Sequence, residues 1–150
     1  MNKVKAVIID LDGTLCNVDH RLHHIKGEKK DWPAFFSEVS GDSINIWCAT
    51  LVESMHQAGW RIVFCTGREG TDKIKTDTIV WLNTTFNIEY DLYHRKEGDH
   101  RKDAIIKEEI FREKIEPHYD VLFAVDDRQQ VVDMWRKVGV TCLQCAKGDF

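Results

Sequence analysis

Proline occurs only twice in 150 residues, and no Pro- or Ser-rich linker, low-complexity tract or internal repeat interrupts the chain. That excludes modules strung on flexible spacers. One compact domain over 1–150 is expected, of a size that buries a packed core without disulfides or a structural metal. No apolar run approaches the roughly 18 residues of a bilayer span, and residues 1–3 lead straight into a strand-like segment rather than a signal peptide. Excess positive charge is also missing: the net charge is -4 and the pI about 6.0, whereas domains that grip nucleic acid along many phosphates have a pI above about 9. Any nucleic-acid contact must then be local. The cysteines number five, an odd count in a chain that needs no staples, and they read as reduced thiols. A cytoplasmic protein with no membrane association is expected.

What is present is an alternation. Val4 to Ile9 is a β-branched apolar run that suits a strand buried on both faces of a parallel sheet. A helix is expected over 44–57, a strand over 60–65, a turn at Thr66-Gly67-Arg68, a helix over 72–86 and a weaker strand over 90–93. After a polar loop at 95–101 come a helix over 103–115, a strand over 121–125, a helix over 129–138 and a last strand over 140–145. Strands alternating with helices of this length imply right-handed crossovers, hence an α/β fold: a five-stranded parallel sheet with helices on both faces, Rossmann-like and three-layered. The stretch 16–43 has no clear periodicity. It holds His20, His23, His24, four Lys or Arg residues and the aromatics Trp32, Phe35 and Phe36, and reads as a loop or small helical lid inserted after the first strand.

In such sheets the site forms outside the carboxyl ends of the strands, where the winding direction switches. The unusual polar residues fall there: Asp10 and Asp12 after the first strand, Thr66 and Arg68 after the second, Asp126 and Asp127 after the fourth. Lys107 lies on the 103–115 helix. Four carboxylates at one locus raise one another's pKa unless a cation compensates. With only oxygen ligands at Asp10, Asp12, Asp126 and Asp127, and no convincing His or thiolate, Mg²⁺ is the natural ion. Adding Lys, Arg and a hydroxyl makes a phosphoryl site: Asp10 as nucleophile, Asp12 as acid and then base, Thr66 on a phosphoryl oxygen, and Lys107 neutralising both nucleophile and phosphate. Gly13 allows close backbone approach.

The string Asp10-Leu11-Asp12-Gly13-Thr14 after an apolar strand, Thr66 ending a second, Lys107 downstream and the Asp126-Asp127 pair ending a fourth resemble the four motifs of the haloacid dehalogenase (HAD) superfamily of aspartyl-phosphate phosphohydrolases. A narrower resemblance covers nearly the whole chain. Gly98-Asp99-His100-Arg101-Lys102-Asp103, Lys107 to Phe111, Asp126-Asp127-Arg128-Gln129, Met134-Trp135-Arg136 and Gly148-Asp149-Phe150 are similar to the 3'-phosphatase domains of bacteriophage polynucleotide kinase-phosphatases. The resemblance implies the same roles for Asp10, Asp12, Asp126 and Asp127, phosphate or substrate binding by Arg68, Gly67, Arg128, Lys107 and Arg21, and support of Lys107 by Asp103. It departs in two places: Thr66 replaces a serine, and 16–43 is longer and richer in histidine. No G-x-x-x-x-G-K-[ST] string exists for a 5'-kinase, so a separate kinase or ligase is the partner expected.

The leading expectation is a Mg²⁺-dependent phosphomonoesterase acting on 3'-phosphate ends of DNA or RNA through a phospho-Asp10 intermediate. Two others stand beside it: the same chemistry on a nucleotide or small phosphomonoester, and a non-catalytic phospho-acceptor switch. The basic residues of 95–102 read either as a solvated loop or as a nucleic-acid contact.

Overall fold

A computed structural model describes residues 2–150. Strands β1 (Val4–Ile9), β4 (Arg61–Glu69), β5 (Tyr90–Arg95), β6 (Tyr119–Asp126) and β7 (Cys142–Gln144) form one parallel sheet in the order β5-β4-β1-β6-β7. The expected α/β architecture, a five-stranded parallel sheet between helices, is the one observed. The apolar run of β1 explains its central place, because alternate side chains feed two separate cores. Ala6 and Ile8 pack with Phe111, Ile115, Val131 and Trp135 on one face. Val7 and Ile9 pack with Cys48, Val52 and Leu82 on the other. Helices α2 (Ile46–Gln57) and α3 (Asp72–Thr85) thus cover one face, and α4 (Asp103–Ile110) with α5 (Gln129–Lys137) cover the other. From β1 the chain winds through β4 to β5 and then crosses back to β6 and β7. The winding direction therefore switches between β1 and β6, the position that opens a crevice at the strand ends.

Several boundaries differ from the sequence expectation. The turn expected at Thr66-Gly67-Arg68 is a continuation of β4, which keeps pairing with β5 through Thr66 opposite His94 and Glu69 opposite Arg95, with a register irregularity between. That bulge re-aims the side chains at the strand's end, as bulges beside functional sites do. The helix from Asp103 is α-helical only to Ile110 and widens to a π turn over Phe111–Ile115, where the Glu116 N–H donates to the Phe111 carbonyl at 2.7 Å. Both Phe111 and Ile115 are buried by this turn. β5 runs on to Arg95, β6 starts at Tyr119, and β7 is shorter than expected. Among the described residues no helix is long and apolar enough to cross a membrane.

The aperiodic stretch after β1 is built, not loose. A two-stranded ribbon of β2 (Cys16–Asn17) and β3 (Ser43–Ile44) closes its base. A 3-10 helix (Asp19–His24) and α1 (Trp32–Ser37) sit between them, joined by an apolar cluster of Val18, Ile25 and Phe35 with Leu22, Trp32, Phe36 and Phe150. Ile44, expected to open the helix over 44–57, belongs with Ser43 to the ribbon instead, and α2 starts at Ile46.

Candidate active site

Asp10 follows the last residue of β1 and is anchored by its N–H, which donates to the Val125 carbonyl at 3.0 Å. Its carboxylate faces Lys107 and Thr14. Lys107 Nζ donates to Asp10 Oδ1 at 2.8 Å and to Asp126 Oδ2 at 2.9 Å, while Thr14 Oγ1 donates to Asp10 Oδ2 at 2.9 Å. The same hydroxyl lies 3.3 Å from Asp127 Oδ1. Lys107 is only 1% exposed on the inner side of α4, and Asp103, one turn earlier, stands 4.0 Å from its ammonium. Asp126 ends β6 and accepts from the N–H groups of Asp127 (2.9 Å) and Arg128 (3.3 Å), which fixes the turn into α5.

Two glycines make this packing possible. Gly13 has φ +84°, and a Cβ there would fall 2.3 Å from Asp127 Oδ2, so only glycine allows both the left-handed turn and the carboxylate beside it. A Cβ on Gly67 would meet Asp103 Oδ1 at 2.0 Å, displacing the neighbour of Lys107.

Oxygens of Asp10, Asp126 and Asp127 lie within 4.8 Å of one another. Burial pushes Asp10 up to about 8, with Lys107 opposing and Asp127 adding to the rise. Burial likewise raises Asp126 to about 7, helped by Asp10, and Asp127 to about 6, helped by Asp126. Burial works against the Lys107 ammonium, but Asp10, Asp126 and Asp103 hold it firmly charged. One lysine thus faces three crowded carboxylates, a donor set of hard oxygens that a divalent cation such as Mg²⁺ fits and that is short of positive charge without one.

Asp12, two residues beyond Asp10, sits in the opposite environment. Arg21 Nη2 donates to its Oδ1 at 2.6 Å and Arg68 Nη2 to the same oxygen at 2.6 Å, with Arg68 Nε at 3.1 and 3.2 Å from the two oxygens. Burial opposes ionisation, but Arg68 and Arg21 outweigh it and hold Asp12 well below the usual carboxylate range. The sequence expectation put Arg21 and Arg68 on the substrate phosphate. Their guanidinium groups instead grip Asp12 and Asp42, and neither lines the cavity at the strand ends.

Asp42 was not singled out from the sequence. Its side chain is fully buried and accepts from Arg21 Nε and Nη2, both at 2.7 Å, and from Arg68 Nη2 at 3.2 Å; His20 Nε2 lies at 2.7 Å. It is one carboxylate in a segment of mixed charge, and nothing in its spacing marks it out. Thr14 closes the Asp10-Leu11-Asp12-Gly13-Thr14 string, and its hydroxyl links Asp10 to Asp127.

These groups open onto a cavity of about 410 Å³ whose floor carries Asp10, Asp12, Thr66, Gly67, Asp126 and Asp127. Thr66 is buried there, its Oγ1 accepting from the Arg68 N–H at 3.1 Å. Arg128 reaches the rim, held by the Phe150 carbonyl at 2.6 Å and near Asp103 at 3.8 Å. In the 95–102 loop the basic residues divide. Arg95 donates to the carbonyls of Gly67 (2.9 Å), Asp99 and Arg101, tying the loop to β4. Arg101 pairs with Asp99 and Glu109. His100 and Lys102 line the cavity, and among the described residues their side chains make no hydrogen bond or ion pair within the chain.

The family model for the polynucleotide kinase PNKP phosphatase domain matches residues 4–150. The chain belongs to this family. As a PNKP-type phosphatase domain of HAD type it is an enzyme. It is similar to the "Putative bifunctional polynucleotide kinase/RNA ligase" of Autographa californica nuclear polyhedrosis virus, 30% identical over 140 residues, which are 91% of this chain and 18% of that protein. Chains from two structures, of the Pnkp1/Rnl/Hen1 complex and the Pnkp1/Rnl/Hen1 RNA repair complex, superpose with TM-scores of 0.82 and 38% identity; the phosphatase covers 100% and 99% of itself against 48% and 44% of those chains. It spans less than half of these longer relatives. A HAD-superfamily hydrolase from Ehrlichia chaffeensis shares the fold, with a TM-score of 0.54, 13% identity, and coverage of 96% and 87% of the two chains.

Proposed function

We propose that the protein is a Mg²⁺-dependent polynucleotide 3'-phosphatase that works through a phospho-Asp10 intermediate. The observation that carries this reading is the Asp10 carboxylate, held by Lys107 and Thr14 at the bottom of an open cavity beside Asp126 and Asp127. Asp10, Asp126 and Asp127 would hold the ion, which when bound supplies positive charge to nucleophile and phosphoryl oxygens alike; Asp12, expected among the ligands, has both carboxylate oxygens engaged by Arg21 and Arg68 instead.

In the first step an oxygen of Asp10 forms a bond to phosphorus as the bond to the sugar 3'-oxygen breaks, and Asp12 delivers a proton to that leaving oxygen. In the second, Asp12 as carboxylate takes a proton from water, whose oxygen attacks phosphorus and releases Asp10 with inorganic phosphate. The ion pairs around Asp12 suit the second step directly. When Asp12 is protonated for the first step, Asp42 still pairs with Arg21 and Arg68 and keeps both guanidinium groups in place. Thr66, the Gly67 backbone and Arg128 line the phosphate's approach, and Asp103 keeps Lys107 in place.

Segment 16–43 would act as a small lid on a single 150-residue domain, leaving room for a polymer end. Kinase or ligase activities, named in the relatives, would come from elsewhere on the same or another polypeptide. The test compares kcat/KM with Mg²⁺ for a 3'-phosphorylated oligonucleotide, a 3'-mononucleotide and a simple alkyl phosphate. Strong preference for the oligonucleotide is expected; equal use of all three would replace this reading with a small-molecule phosphatase.

A further inference from the structure

The cavity above Asp10 is larger than a phosphoryl group needs and falls in the size range of small-ligand sites, about 300–1,000 Å³. Part of the lining is apolar, from Trp32, Pro33, Phe35, Phe36 and Phe150; another part comes from the 95–102 loop, including the exposed residues His100 and Lys102. Buried aromatics usually serve a core, but here only Phe35 is fully buried, while Trp32 and Phe36 keep exposed surface at the cavity. One turn apart on α1, their rings lie nearly parallel, at 27° with centroids 5.9 Å apart. Lys30 Nζ stands over Trp32 at 5.6 Å, and no cation stands over Phe36 among the described residues.

The aromatic wall is fastened to the reacting groups. Phe35 packs on the Arg21 guanidinium at 4.2 Å and on Phe150 at 6.2 Å, and Phe150 lies against Gly13 of the Asp10 loop. Whatever rests on Trp32 and Phe36 is therefore registered to Asp10.

We propose that Trp32 and Phe36 form a stacking shelf for the terminal nucleobase of the substrate, with His100 and Lys102 meeting the sugar-phosphate chain. Stacking tolerates any base because every base offers a π face, so the shelf selects a nucleotide end without selecting its sequence. It separates nucleic-acid ends from phosphomonoesters that lack a ring. This rests on the polynucleotide reading above.

The test uses the whole protein with two oligonucleotides that differ only at the 3'-phosphorylated terminal residue, one carrying a base and one abasic. The wild-type enzyme is expected to favour the base-bearing end by about tenfold or more in kcat/KM, mostly through KM. In Phe36→Ala, and separately in Trp32→Ala, the preference falls to within about twofold, and Phe36→Tyr restores most of it; circular dichroism confirms that each variant folds. Equal use of both ends by the wild type, or full preference retained in both alanine variants, overturns the shelf while leaving the 3'-phosphatase reading intact. Turnover of an alkyl phosphate with neither oligonucleotide processed overturns both.

Discussion

Two charge clusters, two residues apart in sequence, answer the same problem of buried carboxylates in opposite ways. Around Asp10, three carboxylates share one lysine, and burial raises all three. Around Asp12, two carboxylates meet two guanidinium groups, and Asp12 is held ionised. The second cluster is balanced by the chain itself; the first is left short of a cation. A site that recruits an ion and an anionic substrate needs such a deficit, and a neighbouring network that must keep its shape does not.

The largest break in this comparison comes from Asp10→Asn, which keeps the shape and deletes the proposed nucleophile. Phosphate release should fall by about 10⁴-fold or more, with an unchanged circular dichroism spectrum; substantial residual turnover would remove Asp10 from the role. Asp12→Asn should cost about 10²–10⁴-fold, in burst as well as steady-state rates, since both proposed steps use this carboxyl group. Its effect should exceed that of Asp103→Asn, which acts only through Lys107.

Stability sharpens the contrast. Asp42→Ala strips a fully buried partner from Arg21 and Arg68, and urea denaturation should show a loss of about 3–5 kcal/mol. Asp127→Asn, which relieves crowding beside Asp10 and Asp126, should leave the metal-free protein as stable as the wild type or more so. A large loss in Asp127→Asn would mean that the first cluster is as self-sufficient as the second. A smaller effect than that of Asp42→Ala is expected from the ion. Saturating Mg²⁺, at about 100 times its dissociation constant, should add about 2.7 kcal/mol, read as a rise in Tm that chelation reverses and Asp127→Asn diminishes.

The difference between the clusters also marks how far the sequence could be read. The first was legible because its carboxylates lie directly after apolar strands, where a parallel sheet delivers them to one edge. Lys107 was legible through helical spacing on an amphipathic segment. The second was half legible: Asp12, Arg21 and Arg68 were visible as chemistry-bearing residues, but not that they bind one another, since Asp42 completes them through a tertiary contact without local pattern. The 16–43 segment had no period to read because a ribbon, 3-10 turns and a six-residue helix each end before a repeat is established. The extension of β4 past Thr66 escaped for a related reason. Thr66-Gly67-Arg68 has turn chemistry, and only pairing with β5 keeps it extended.

The Thr14 hydroxyl that touches both Asp10 and Asp127 spans 113 residues of chain, and the Lys107 contact with Asp10 spans 97. Contacts of such separation are closed late, after the loops between them have been gathered in. A chain emerging from synthesis can pair β1 with β4 and wrap α2 and α3 long before β6 arrives. Until β6 inserts beside β1, the carboxylates of its end are not gathered around Asp10, and their mutual repulsion is not yet felt. The phosphatase thus meets its most unfavourable electrostatics only when the rest of the sheet is already in place to bear it.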